Sequence, residues 1–221
     1  MINRIEKTLV SYLSKEIKGY VTPQKGDFEK VIKVIKPGDV ILVEGKQRFS
    51  KAIKYLTQSN WSHSAIYIGN GKLIEADLKE GVIESPLQEY MQYHTRICRP
   101  KNLFEEDLAS ILTFVSSKIG GQYDTKHISD LFKIALNPKL NLRKVLTSLG
   151  SSDPRKVICS SLIADAFHSV HYPILPIKKE LGGYQKINST LITPSDFDLS
   201  PYFEIIKPTL DKFNYHDFFK P

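Results

Sequence analysis

Two short stretches of the 221-residue chain carry side chains suited to chemistry: Trp61-Ser62-His63-Ser64-Ala65 and Val157-Ile158-Cys159-Ser160-Ser161. Cys159 ends a short apolar, strand-like lead-in and opens a stretch with helical spacing. Leu162, Ile163, Ala166, Phe167 and Val170 recur there at intervals of three and four. A thiol at the start of a helix lies beside unpaired backbone N–H groups and the positive end of the helix dipole, and both favour thiolate over thiol. His63 opens the alternating run His63-Ser64-Ala65-Ile66-Tyr67-Ile68-Gly69, whose period of two predicts a β-strand. An imidazole brought against the Cys159 sulfur would complete a nucleophile with its base, the apparatus of a cysteine hydrolase.

The other reactive side chains read differently. Cys98, between Ile97 and Arg99 with no histidine obviously placed for it, fits a small buried hydrophobe. Ser160 and Ser161 have no identified base and read as capping or first-turn hydrogen-bonding residues. His94, His127, His168, His171 and His216 show no metal-ligand spacing. Asp39, in Pro37-Gly38-Asp39, reads as a turn and capping residue. Trp61 and Tyr67 suit the lining of a cleft and core packing equally well. The chain has no Gly-rich phosphate loop or nucleotide motif, and neither a metal nor an organic cofactor is expected.

These residues must be positioned by elements that the rest of the chain predicts. Val40–Val43, after the Pro37-Gly38-Asp39 turn, reads as a strand. The run from His63 closes at Gly69-Asn70-Gly71, a hairpin signal, and Lys72–Ala76 returns beside it. Gly81–Glu84 and Arg96–Arg99 read as further strands and Pro86–Gln92 as a short helix, so consecutive short strands imply an antiparallel sheet. Helices are predicted over 2–18 (Ile5, Leu9, Leu13 and Ile17 every four residues), over 48–58, and over 103–119 with Glu105, Glu106 and Asp107 at its start. One or two more fall within 120–156. The last fifty residues, rich in Pro and aromatics, read as a wrapping tail with little regular structure. With 41% hydrophobic residues and no shift in composition, the expectation is one α+β domain over 1–221, with an N-terminal helical extension at 1–35 and a helical insertion at 125–156.

No apolar run is long enough to span a bilayer, and the first twenty residues lack the apolar block and cleavage site of a secretory signal. Two cysteines imply no disulfide framework, so a cytoplasmic setting is the expectation, with a membrane-peripheral one as its variant. The net charge of +7 is concentrated at the front: residues 1–60 hold 12 Lys/Arg against 6 Asp/Glu. Such a face suits anionic lipid or is merely solvated. Nucleic acid is disfavoured, because no aromatic stacking platform or zinc motif accompanies the basic residues.

The turn Pro37-Gly38-Asp39, the segment Trp61–Gly69, Gly81-Val82, Pro86-Leu87, Ile158–Leu162 and Thr193-Pro194-Ser195-Asp196-Phe197 together resemble the YiiX/YebB-like branch of the NlpC-type papain-like cysteine hydrolases. The resemblance covers roughly residues 36–200. In that branch the papain-like fold is circularly permuted and histidine precedes cysteine, as His63 precedes Cys159 here. It implies a small antiparallel sheet packed against the nucleophile helix, and a third catalytic residue, a carboxylate on the strand after the histidine strand. That position maps to Glu75, with Asp77 and Glu84 as rivals. The implied reaction is attack by Cys159 on an amide or ester carbonyl, His63 moving the proton and Glu75 orienting His63. Acyl transfer or hydrolysis on a lipid at an anionic membrane is the alternative. A non-catalytic binding module on the same fold is a third reading, disfavoured because every expected catalytic side chain is present. Peptide, amide and acyl-lipid substrates all fit, and oligomeric state is not legible.

Overall fold

The computed structural model describes residues 15–16, 27–47, 50, 54, 59–77, 80–121, 158–176, 179–180, 183–184, 189 and 192–207, with Ile158 and Cys159 described by their backbone. Strands β1 (Val40–Glu44) and β2 (His63–Gly69) lead into a tight hairpin with β3 (Lys72–Asp77). Gly69 pairs with Lys72, so Asn70 and Gly71 form a two-residue turn, with φ of 52° and 71°. Positive φ at both central positions matches the right-handed twist of a hairpin, and Asn-Gly tolerates it. In chain order β4 (Gly81–Pro86), β5 (His94–Pro100), the short ribbon β6 (Lys179–Glu180) and β7 (Gly183–Tyr184), and β8 (Phe203–Ile206) follow. The main sheet is antiparallel in the order β4-β3-β2-β1-β5-β8.

The unbroken apolar run of β1 reflects burial on both sides, since alternate residues of a strand face opposite layers. Val40 and Leu42 enter one core and Ile41 and Val43 the other. The first core lies under α2 (Glu105–Ser116) and α3 (Ile158–Ser169), whose Ile111, Val115, Leu162, Ile163, Ala166 and Phe167 are buried with Ile66 and Ile74. On the other face, α1 (Phe28–Val34) and a 3-10 helix (Leu87–Gln92) bury Val31, Ile35, Leu87 and Met91 against Ala65, Tyr67, Leu73 and Ile97. Asp27 caps α1, accepting the Lys30 N–H, and three carboxylates sit in the first turn of α2.

Several expectations change. At Glu16 the chain makes an antiparallel bridge to Gln47, so the amphipathic helix does not run through that residue to 18. The rest of that helix, most of 48–58 and nearly all of 120–156 lie outside the described residues. Ile158 is already helical, so the strand-like lead-in to Cys159 stops at least one residue earlier. The C-terminal stretch is not merely a wrapping tail. It supplies α4 (Pro194–Leu199), opened by a Thr193–Asp196 capping box, and β8, which hydrogen-bonds along β5. Both elements are too short for periodicity to reveal them, and buried Phe197 and Phe203 anchor them.

Asp39 does more than cap a turn. It is buried and accepts the Lys36 N–H (2.8 Å) and two bonds from Arg99 (2.8 and 2.7 Å), tying the turn to β5. Asp39→Ala leaves a half-buried guanidinium without its counter-charge. It is expected to lower unfolding free energy by about 3 kcal/mol in urea melts, and a loss below 1 kcal/mol would show the pair to be dispensable.

Candidate active site

His63 is the first residue of β2, and its entry is clamped by the residue before it. The buried Ser62 donates its N–H to the Val43 carbonyl (3.0 Å), and its Oγ accepts the Gly45 N–H (2.9 Å). The main chain carrying the imidazole is therefore fixed to the end of β1, while the ring keeps about a fifth of its surface exposed (22%). The Ile66↔Ile74 register puts Glu75 across from Ala65, two residues along from His63 on the same face. At such a diagonal, long side chains on paired strands meet. The Nε2 of His63 contacts Glu75 Oε2.

Glu75 is almost wholly buried (4% exposed). Its other oxygen, Oε1, accepts hydrogen bonds from the Ser85 hydroxyl on β4 and from the Tyr90 hydroxyl on the 3-10 helix. Burial alone would push this carboxyl upward. The imidazolium charge of His63 and the three hydrogen bonds outweigh burial and bring it down to about 2 from an ordinary 4.5. A depressed carboxyl binds fewer protons in the folded than in the unfolded chain. Its contribution is therefore complete above about pH 4.5 and is lost as pH falls toward 2. Glu75→Gln should flatten the fall of stability across that window by an amount on the order of a few kcal/mol, as read by denaturant melts. Parallel curves for the two proteins would argue against an ionised Glu75.

Of the two rival carboxylates, Asp77 accepts the Glu80 N–H (3.0 Å), and Glu84, exposed, pairs with Lys72 at 2.7 Å. Ser85 and Tyr90 were not singled out from sequence. Ser85 sits at a buried position of β4 between the exposed Glu84 and Pro86, and nothing local marks Tyr90.

Cys159 is the second residue of α3, and α3 packs against β2 and β3, the strands of His63 and Glu75. The helix closes at the corner where β5 ends and β8 begins. There Phe167 meets the Phe203 ring at 5.3 Å, and Tyr172 donates to the Lys101 and Tyr202 carbonyls. That corner is level with the far half of β2, since Val40 pairs with both Ile66 and Cys98. The first turn of α3 is thus its end remote from the corner, just as His63 is the remote end of β2. Ser160 is fully buried and donates to the Ile192 carbonyl at 2.6 Å, a tertiary tie in addition to any capping role. By strand alternation His63 and Glu75 share the face of Ala65, Tyr67 and Leu73, while the core residues of α3 lie on the other.

A second histidine–carboxylate pair, also unremarked in the sequence, stands at the same end of the sheet. His94 Nδ1 and Lys54 Nζ each lie 3.0 Å from the buried Glu44. His94 is 5.1 Å from the Trp61 ring, Arg96 lies over that ring, and both Trp61 Nε1 and Arg96 bond Asp198. Trp61 is accordingly a core residue rather than a cleft lining, and Tyr67 is buried with its hydroxyl accepting the Gly71 N–H. Within the basic N-terminal sixty residues, Lys54 is bound to Glu44 and Lys46 lies 5.0 Å from the Tyr93 ring. Among the described residues, no group of three or more His, Cys, Asp or Glu is placed to hold a metal ion, and no helix is long and apolar enough to cross a membrane.

Residues 34–133 match the family described as permuted papain-like amidase enzyme, YaeF/YiiX, C92 family. The fold is similar to the crystal structure of the metalloprotein YiiX from Escherichia coli O157:H7. That match has a TM-score of 0.51 and 17% identity over 78% of this chain and 96% of that one. No curated protein matches by sequence.

Proposed function

We propose that this chain, whose residues 34–133 match the permuted papain-like amidases of the YaeF/YiiX family, is a cysteine hydrolase that works through Cys159, His63 and Glu75. The observation that carries the assignment is the buried, ionised Glu75 against His63 Nε2. With Nε2–H given to the carboxylate, the neutral ring carries its lone pair on Nδ1, the nitrogen available to take the thiol proton. The thiolate attacks an amide or ester carbonyl, and the tetrahedral oxyanion faces backbone N–H groups at the start of α3. Collapse transfers the proton from His63 to the leaving amine or alcohol and leaves an acyl-thioester. Water, deprotonated by His63, then releases the acid and restores the thiol. Because the core residues of α3 and the imidazole occupy opposite faces of β2, the reading requires the thiol to reach the ring past the margin of the sheet where β2 begins.

The two thiols should differ sharply. Cys98 is fully buried, and burial pushes its thiol up to about 12. Under limiting iodoacetamide at neutral pH, Cys159 is expected to be labelled well ahead of Cys98, as read by peptide mass. Incubation with an activated aryl ester should add the acyl mass to the Cys159 peptide. Labelling of Cys98 first, or an acyl group on another residue, would reject the assignment.

A further inference from the structure

The carboxylate of Glu75 is used asymmetrically, and the division has a chemical purpose. Oε2 meets His63, while Oε1 takes two hydroxyl donors from different elements, Ser85 on β4 and Tyr90 on the 3-10 helix. The Tyr90 ring also lies nearly parallel to the imidazole, at 15° with centroids 6.0 Å apart. We propose that Tyr90 and Ser85 are positioning residues of the base, holding Glu75 turned so that Oε2 alone faces His63 and moderating how strongly its charge attracts the imidazolium. This rests on the roles proposed for His63 and Glu75.

A carboxylate has about four acceptor sites, and a buried one with a single partner can rotate or take up a proton. Two donors on Oε1 remove both freedoms. They also draw negative charge toward Oε1, so that the ion pair at Oε2 is weaker than a bare buried carboxylate would make it. A weaker pair leaves the imidazole neutral, and able to take a proton, over a wider pH range. Burial and the Glu75 charge keep the Tyr90 hydroxyl protonated far above its ordinary range, so it remains a donor. Among the described residues, titratable groups near the pair include Asp77 on β3, Glu89 in the 3-10 helix, Tyr93 just beyond it, Glu16, which acts on Tyr93, and Lys46 over the Tyr93 ring. Neither Tyr90→Phe nor Ser85→Ala replaces any of these groups.

The test is the titration of the His63 ring by NMR in the full chain, with Tyr90→Phe, Ser85→Ala, Glu75→Gln and the Tyr90→Phe/Glu75→Gln double variant. Glu75→Gln should lower the His63 midpoint. Tyr90→Phe and Ser85→Ala should each raise it, by an amount on the order of half to one pH unit. In the Gln background, Tyr90→Phe should add little, because its effect passes through the carboxylate. A merely structural tyrosine would change melting temperature but not this midpoint. Unmoved midpoints in Tyr90→Phe and Ser85→Ala, beside a shifted Glu75→Gln, overturn the proposal and leave the base assignment standing. An unmoved Glu75→Gln removes Glu75 as the orienting carboxylate and the proposal with it. If Tyr90→Phe does not fold, Ser85→Ala decides alone.

Discussion

Replacing His63 by alanine is expected to slow acylation of Cys159 by roughly 100- to 10,000-fold at neutral pH, the usual scale of general-base catalysis. The fold should survive. The imidazole stands at the first position of β2 and is partly exposed, and the Ser62 hydrogen bonds that fix the strand entry are independent of it. Glu75→Gln should cost less, because glutamine keeps an acceptor toward Nε2 while losing the charge that stabilises the imidazolium. The measurement is single-turnover acylation by an activated aryl ester, followed by mass, with circular dichroism as the check on folding. Acylation of the His63→Ala protein at the unaltered rate would end the assignment of the base.

Phe167→Ala is expected to lower unfolding free energy by about 3–5 kcal/mol, the range for truncating a fully buried aromatic. Phe167 has no exposed surface and sits among the rings of Tyr172, Phe197 and Phe203, at centroid distances of 5.4, 6.4 and 5.3 Å. Those partners belong to the turn after α3, to α4 and to β8, so one side chain joins α3 to the elements that follow it. Urea melts give the number directly. A loss under 1 kcal/mol would mean that the surrounding rings collapse into the space.

What the sequence disclosed follows its periodicity and its turns. Alternation over His63–Gly69 and the Asn70-Gly71 turn, each set by local geometry, made the central hairpin legible, and the register of that hairpin brought Glu75 within reach of His63. The roles of buried Ser85 and half-buried Tyr90 are not legible in the sequence, because they depend on which carboxylate tertiary packing brings to them. The Glu44–His94 pair escaped for the same reason: its members are fifty residues apart and are joined only when β1 and β5 pair. Strand β8 and helix α4 were invisible to pattern because four and six residues hold too few repeats of any period, and tertiary packing of Phe197 and Phe203 defines them.

The order of elements along the chain has a consequence for biosynthesis. Strands β1 to β5, with His63, Glu75, Ser85 and Tyr90, are complete by Pro100, and their pairings are mostly between neighbours in sequence. Such local pairing closes short loops and is quick to form. Cys159 and β8, the remaining strand of the main sheet, leave the ribosome later, by several seconds at roughly 5–20 residues per second. The His63–Glu75 pair can therefore assemble before Cys159 is made, so that, on the proposed roles, the base precedes its nucleophile. Under that assignment hydrolysis waits until α3 docks on the sheet, and a nascent chain stalled before residue 159 carries an imidazole–carboxylate pair with nothing to activate.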